Sequence, residues 1–159
     1  MGQRRGPTTE RSGLSAQERQ RIRATDPQRV QYRSLVQAVN RVRTRARELA
    51  RLAKKTGAGY EQLRAQYVEL QNELEAMRDQ HEDFLDGLSD EQQAATEQDA
   101  KEMAKDLDEL NVWMEAMDDE LKQSEPDGKK LEKQARQVEK GAENWQKNAR
   151  RLASDLSIQ

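Results

Sequence analysis

The one histidine of this 159-residue chain, His81, and its clustered carboxylates are the residues equipped for acid–base or metal chemistry. A di-metal carboxylate site in a helical bundle takes a Glu three residues before a His on each of two helices. Here the residue three before His81 is Arg78, and a single histidine cannot supply two such pairs. The runs Glu82, Asp83, Asp86 and Asp118, Asp119, Glu120 offer oxygen ligands of the kind calcium prefers. Aligning Gly87 with the glycine of a calcium-binding loop, however, puts Phe84 at the third position, where an oxygen ligand is required, and Gln93 at the twelfth, where a bidentate carboxylate is required. These acids therefore read as a solvated helix face. There is no cysteine, so no disulfide or cysteine-based zinc site can form. No Gly-x-Gly-x-x-Gly, Walker or Gly-x-Ser-x-Gly loop occurs. The expectation is a protein that is not an enzyme, with no cofactor and no small-molecule substrate. His81 falls among apolar residues and is expected to pack in a helix seam. An imidazole titrates near neutrality, so charging it there would loosen the packing, which makes His81 the candidate pH-sensitive position.

A second chemistry resides in the basic patch Arg41, Arg43, Arg45, Arg47, Arg51, Lys54 and Lys55, which could contact phosphates of nucleic acid or of an anionic membrane. Its members point in several directions around a helix and have no interleaved aromatics for stacking on bases. The formal net charge of −2 hides a segregation. Residues 1–55 hold 15 Lys and Arg against 4 acids, residues 56–125 hold 5 against 21, and residues 126–159 hold 8 against 5. Blocks of +11, −16 and +3 suggest surfaces that neutralise one another within or between chains, in preference to a nucleic-acid arm.

The elements that must carry these residues follow from apolar spacing. Tyr32, Leu35, Val39, Val42, Ala46, Leu49 and Ala53 alternate steps of three and four, the seam of a helix. The same rhythm runs from Tyr60 through Leu63, Tyr67, Leu70, Leu74, Met77 and His81 to Phe84. It recurs from Ala100 through Met103, Leu107, Leu110, Met114 and Met117 to Leu121, and again from Leu131 through Ala135, Val138, Ala142, Trp145, Ala149 and Leu152 to Leu156. Such seams explain how a chain that is only 33% hydrophobic folds, because a narrow stripe uses two positions in seven. Turn chemistry separates them: Asp26-Pro27 as a helix start, Thr56-Gly57-Ala58-Gly59 and Gly87 as stops, Ser89-x-x-Gln92 as a capping box, and Ser124 to Gly128 as a break. The spacing predicts helices over 27–55, 60–86, 89–123 and 128–157 in one domain, 13–159, behind a disordered basic tail, 1–12. The fold class is all-α, either a four-helix bundle or a long antiparallel coiled-coil hairpin folded near Gly87. Val36, Leu52, Leu85, Val112 and Trp113 lie beside these seams and are the candidate interface, with Trp113 foremost.

Two stretches resemble each other: Gly13-Leu14-Ser15-Ala16-Gln17-Glu18 and Gly87-Leu88-Ser89-Asp90-Glu91-Gln92. Each is a helix N-cap box. The second, Leu88-Ser89-x-x-Gln92, resembles the repeated Leu-Thr-x-x-Gln signature of the Spy-like periplasmic chaperones with Ser in place of Thr; the first has Glu18 where Gln is expected. That resemblance implies a small all-α protein that binds unfolded clients on a cradle-shaped dimer. From the residues themselves the expectation is a non-enzymatic helical assembly protein acting through seams and charge-complementary helices. Its partners are proteins, including further copies of itself. A Spy-like chaperone and an Arg-rich binder of nucleic acid or anionic membrane are the alternatives. The compartment is expected to be cytoplasmic if Met1 is the native start and periplasmic if a signal sequence preceded it.

Overall fold

A computed structural model describes residues 14–55 and 59–159. Six helices follow in order: α1 (Ala16–Ile22), α2 (Asp26–Lys54), α3 (Tyr60–Asp86), α4 (Asp90–Ala95), α5 (Glu97–Leu121) and α6 (Gly128–Asp155). The four long ones form an all-α bundle. The tail expected over 1–12 and residues 56–58 of the turn expected there lie outside the described residues.

Each start is set by a side chain that satisfies otherwise unpaired backbone N–H groups. Ser15, Thr25 and Ser89 each accept from the backbone three residues on, while Glu18, Gln28 and Gln92 reach back to the cap. Asp127 accepts from the N–H groups of Lys129 and Lys130 to open α6. The cap of α2 is therefore Thr25, one residue before the Asp26-Pro27 start read from the sequence. The helix expected over 89–123 is divided at Thr96, whose backbone leaves helical geometry (φ −113°, ψ 13°). Its Oγ1 donates to the carbonyl of Gln92 at 2.8 Å, a local bond of the sort that competes with a regular helix.

Helix α2 packs along both α3 and α6, and α6 along both α2 and α5, whereas α3 and α5 meet more sparsely. Around the bundle the order is thus α3, α2, α6, α5. Neighbours run antiparallel: Arg41 and Arg45 of α2 reach Glu73 and Glu69 of α3, and Arg43 and Arg47 reach Gln146 and Glu139 of α6. Four antiparallel helices replace the alternative of two long kinked ones. The predicted seams are the core. All their members are buried except Tyr60, 40% exposed at the first position of α3, and Ala100, half-buried at the α3–α5 side. Trp145, Phe84, Leu35, Leu70 and Leu131 are among the large side chains at the centre. At one end of the bundle Gly128 permits α6 to pass close to α2, since a Cβ there would sit 2.8 Å from the carbonyl oxygen of Ala53.

At the other end two capping boxes clasp each other through their glutamines. Gln28 Nε2 donates to Gln92 Oε1 at 2.9 Å, and Gln92 Nε2 donates to Gln28 Oε1 at 3.0 Å. The second N–H of each amide reaches a carbonyl across the junction, Gly87 for Gln28 and Ile22 for Gln92. Each Oε1 also accepts from its own cap, Thr25 N–H or Ser89 N–H, at 2.9 Å. Both side chains are buried, and every donor and acceptor position of both amides is filled. The partner of Ser89-x-x-Gln92 is thus Thr25-x-x-Gln28, not the Ser15 box. Helix α1 instead lies against α4, with Arg21 Nε 3.0 Å from Glu91.

Replacing Gln92 with Leu strands the Gln28 amide, the Ser89 N–H and the Ile22 carbonyl. A loss of about 2–4 kcal/mol in chemical denaturation is expected. Gln28→Leu on top of it is expected to cost much less than it does alone, because the partner is already gone. Additive losses would show that the clasp is not a coupled unit.

Candidate functional site

The basic patch is distributed to neighbours. Arg41 Nε lies 3.5 Å from Glu73 and Arg45 Nη1 2.7 Å from Glu69, both on α3. Arg43 Nη1 donates to Gln146 Oε1 at 2.8 Å and Arg47 Nε pairs with Glu139 at 2.8 Å, both on α6. Arg51 pairs with Glu48 of its own helix, while Lys54 and Lys55 are exposed at its end. The patch therefore does not form one stripe for a phosphate backbone. Exposed pairs of this type contribute at most about 1 kcal/mol each, so their effect is on register more than on stability.

Packing order turns the charge blocks of the sequence into faces. Helix α2 carries eight Arg and Lys against two acids, and α6 eight against four, giving +10 for the adjacent pair. Helix α3 carries two basic residues against eight acids, and α5 two against ten, giving −14 for the opposite pair. The C-terminal block, nearly neutral as a sequence segment, joins the basic face because α6 packs on α2. The signs are already those of the linear blocks; the packing adds that the two basic segments lie side by side.

The α3–α5 side is the open side of the bundle. One cavity of about 270 Å³ has Tyr67, Leu74 and Met114 at its base, with Glu75, Arg78 and Asp118 among its rim residues. The Tyr67 hydroxyl donates to the Met114 carbonyl at 3.1 Å, and Arg64 donates to the Leu121 carbonyl, tying α3 to α5 here. Burial raises the Tyr67 hydroxyl above its ordinary pKa, assisted by Asp118, Asp119 and Glu115. A second cavity of about 400 Å³ opens between the end of α3 and the start of α5, with Leu85, Leu88 and Ala100 flanked by Asp86, Glu97 and Lys101. Arg78, which lines the first cavity, keeps a buried Nε with no hydrogen-bond partner among the described residues. On the basic side a cavity of about 540 Å³ is lined by Tyr32, Val36, Ala153 and Ile158 between Arg33 and Arg150.

Of the candidate interface residues, Val112 is 61% exposed. Val36, Leu52, Leu85 and Trp113 are half-buried and pack against the edge of the core. Leu85 lines the acidic groove and Val36 the basic one. Thr25, Gln28 and the groove residues Tyr67, Leu74 and Met114 did not emerge as a site from spacing. A Thr-x-x-Gln signal for the clasp was nevertheless present.

His81 is buried in the seam, its ring 5.6 Å from that of Trp145 and tilted by 58°. Its Nδ1 and the indole Nε1 are both buried without a hydrogen-bond partner among the described residues. Burial lowers the imidazole pKa to about 4. With that shift His81 stays neutral in the folded protein until well into acid, so any charging that loosens the seam falls below neutrality. On the α5–α6 side, burial raises the Asp106 carboxyl, opposed by a 2.7 Å hydrogen bond from Asn148.

Among the described residues no cluster of His, Cys, Asp and Glu is placed to hold a metal ion, and no helix is long and apolar enough to cross a membrane. Comparison of the chain with protein-family models, curated proteins and solved structures finds no match.

The His81 shift has a definite sign. Above pH 6.5 neither state carries the proton, so stability is unaffected; from about 6.5 down to about 4 only the unfolded chain takes it up, and stability falls. The whole window amounts to about 3 kcal/mol. Denaturation of wild type and His81→Leu at pH 7 and pH 4 checks this: the variant is expected to lose that much less on acidification. Equal losses would contradict it.

Proposed function

We propose that the protein is a non-enzymatic helical interaction protein that receives a helix of a protein partner along the open α3–α5 side. The four seams are buried within one chain, so partner contacts fall to the remaining surface. The observation that carries the reading is the sparse packing of α3 on α5, which leaves two separate cavities along this side, each with apolar residues in its lining and acidic residues around it. Together the two cavities are lined by α3 residues from Tyr67 to Leu85, a span of roughly 27 Å at 1.5 Å per residue, which matches about five turns of a docked helix. Their rims carry Glu75, Asp118, Asp86 and Glu97, so the complementary partner is a cationic amphipathic helix. The arginines of α2 already face acceptors of this chain, which favours protein contacts over phosphates.

A second reading, a client-binding chaperone akin to the Spy-like family, draws support from one feature. The Leu88-Ser89-x-x-Gln92 motif that carries the resemblance is joined to a second such box, Thr25-x-x-Gln28. The two readings differ in what they bind, a preformed helix or an unfolded chain.

A synthetic amphipathic Leu/Lys peptide of about 20 residues is the direct probe for a site of this length. Saturable one-to-one binding is expected by fluorescence anisotropy, weakened about tenfold or more by Leu85→Lys and unchanged by Val68→Lys on the outer surface of α3. Equal affinity for Leu85→Lys would sink the groove reading. Suppression of client aggregation, with no binding of the helical peptide, would favour the chaperone.

A further inference from the structure

We propose that copies of this chain associate head to tail, the cationic α2/α6 face of one docking on the anionic α3/α5 face of the next. The inference rests on reading the chain as an interaction protein, and it names a second copy as the partner. Overall the molecule is nearly neutral, at −2, so no general repulsion keeps copies apart. Locally it is +10 on one side and −14 on the other. Because the order around the bundle is α3, α2, α6, α5, these two faces point in opposite directions.

Two different surfaces that complement each other make a heterologous contact, which leaves one cationic and one anionic face free at the ends of any chain of copies. Growth is therefore open-ended, where an isologous pairing would stop at a dimer. Lys133, Lys140 and Lys147 are exposed along α6 at seven-residue spacing, hence in a line, and none has an ion-pair partner among the described residues. Asp79 and Glu82 on α3 and Asp108 on α5 are likewise exposed and without such partners. The intramolecular bridges use other residues, so both rows are available to a neighbour. Such contacts are screened over about 8–10 Å at physiological salt, which makes them sensitive to ionic strength.

Two variants of the full chain test this. The first carries Lys133→Glu, Lys140→Glu and Lys147→Glu, which cuts the cationic face from +10 to +4; the second carries Asp79→Lys, Glu82→Lys and Asp108→Lys, which cuts the anionic face from −14 to −8. Circular dichroism confirms that each is folded. In light scattering at about 50 mM salt, wild type is expected to rise with concentration to at least about twice its 18.4 kDa, without a plateau, and to return to monomer at about 500 mM. Each variant alone is expected to associate more weakly than wild type at low salt, and an equimolar mixture, which offers the unaltered −14 face of the first to the unaltered +10 face of the second, to recover association. Wild type that stays monomeric at low salt, variants that associate as wild type does, or a mixture that stays monomeric would each overturn the proposal. The Leu/Lys peptide, titrated into the first variant, separates this from the groove reading: its α3–α5 groove is unaltered, so peptide binding there stands or falls independently of self-association.

Discussion

Burial of four narrow apolar stripes against one another is the constraint on which this molecule depends. Each long helix gives two or three residues in seven to the interior, and Leu35, Leu70, Leu110, Leu131 and their neighbours are almost wholly removed from water there. Every other position on the helix is then left to polar residues, and in this sequence those are charged: 36% of the chain is Asp, Glu, Lys or Arg. A bundle closed by so slender a core cannot hide its charge. What the packing can decide is where the charge points, and it places the two basic helices side by side and the two acidic ones opposite.

The two ends of the bundle are secured by different means. At the end where α2 begins, the Gln28–Gln92 clasp joins the α1–α2 and α3–α4 connections, and the Ala24 N–H donates to the Leu156 carbonyl while Arg29 donates to that of Ser157. At the opposite end contact depends on a missing side chain, Gly128 against the Ala53 carbonyl. Between them the His81–Trp145 layer puts two unpartnered polar atoms in the core. Buried polar groups of this kind cost stability and gain nothing from water. They make the interior of the bundle acid-sensitive even though its surface charges nearly cancel.

Much of this was legible in the residues. Spacing alone identified the core positions of all four long helices, because a seam that repeats in steps of three and four has one buried side whatever it packs against. Tyr60 escaped because the first residue of a helix has no preceding turn to bury it. The break at Thr96 escaped for a different reason: a Thr inside a polar run is tolerated by a helix, and only the bond back to Gln92 shows that the chain turns there. Heptad registers do not state which seam meets which, so the adjacency of α2 and α6 was not readable. With it went the charge faces and the open α3–α5 side. The depth of His81 decides its pKa, and depth is a tertiary property. The arginine patch was visible as composition, but its division between Glu69, Glu73 and Glu139 required the neighbours in place.

Function in this account comes from surfaces. The acidic pair of helices offers cavities with half-buried Leu85 at their edge, and the basic pair offers a complementary face. Both depend on the same sorting of charge, and both weaken as salt screens it. The most direct measure of that sorting is the osmotic second virial coefficient, obtained by small-angle scattering from dilute wild-type protein across a salt series. Oppositely charged faces on a nearly neutral molecule predict net attraction at about 50 mM salt that weakens steadily and is gone by about 500 mM. A coefficient that is repulsive at low salt, or that does not change with salt, would contradict the account.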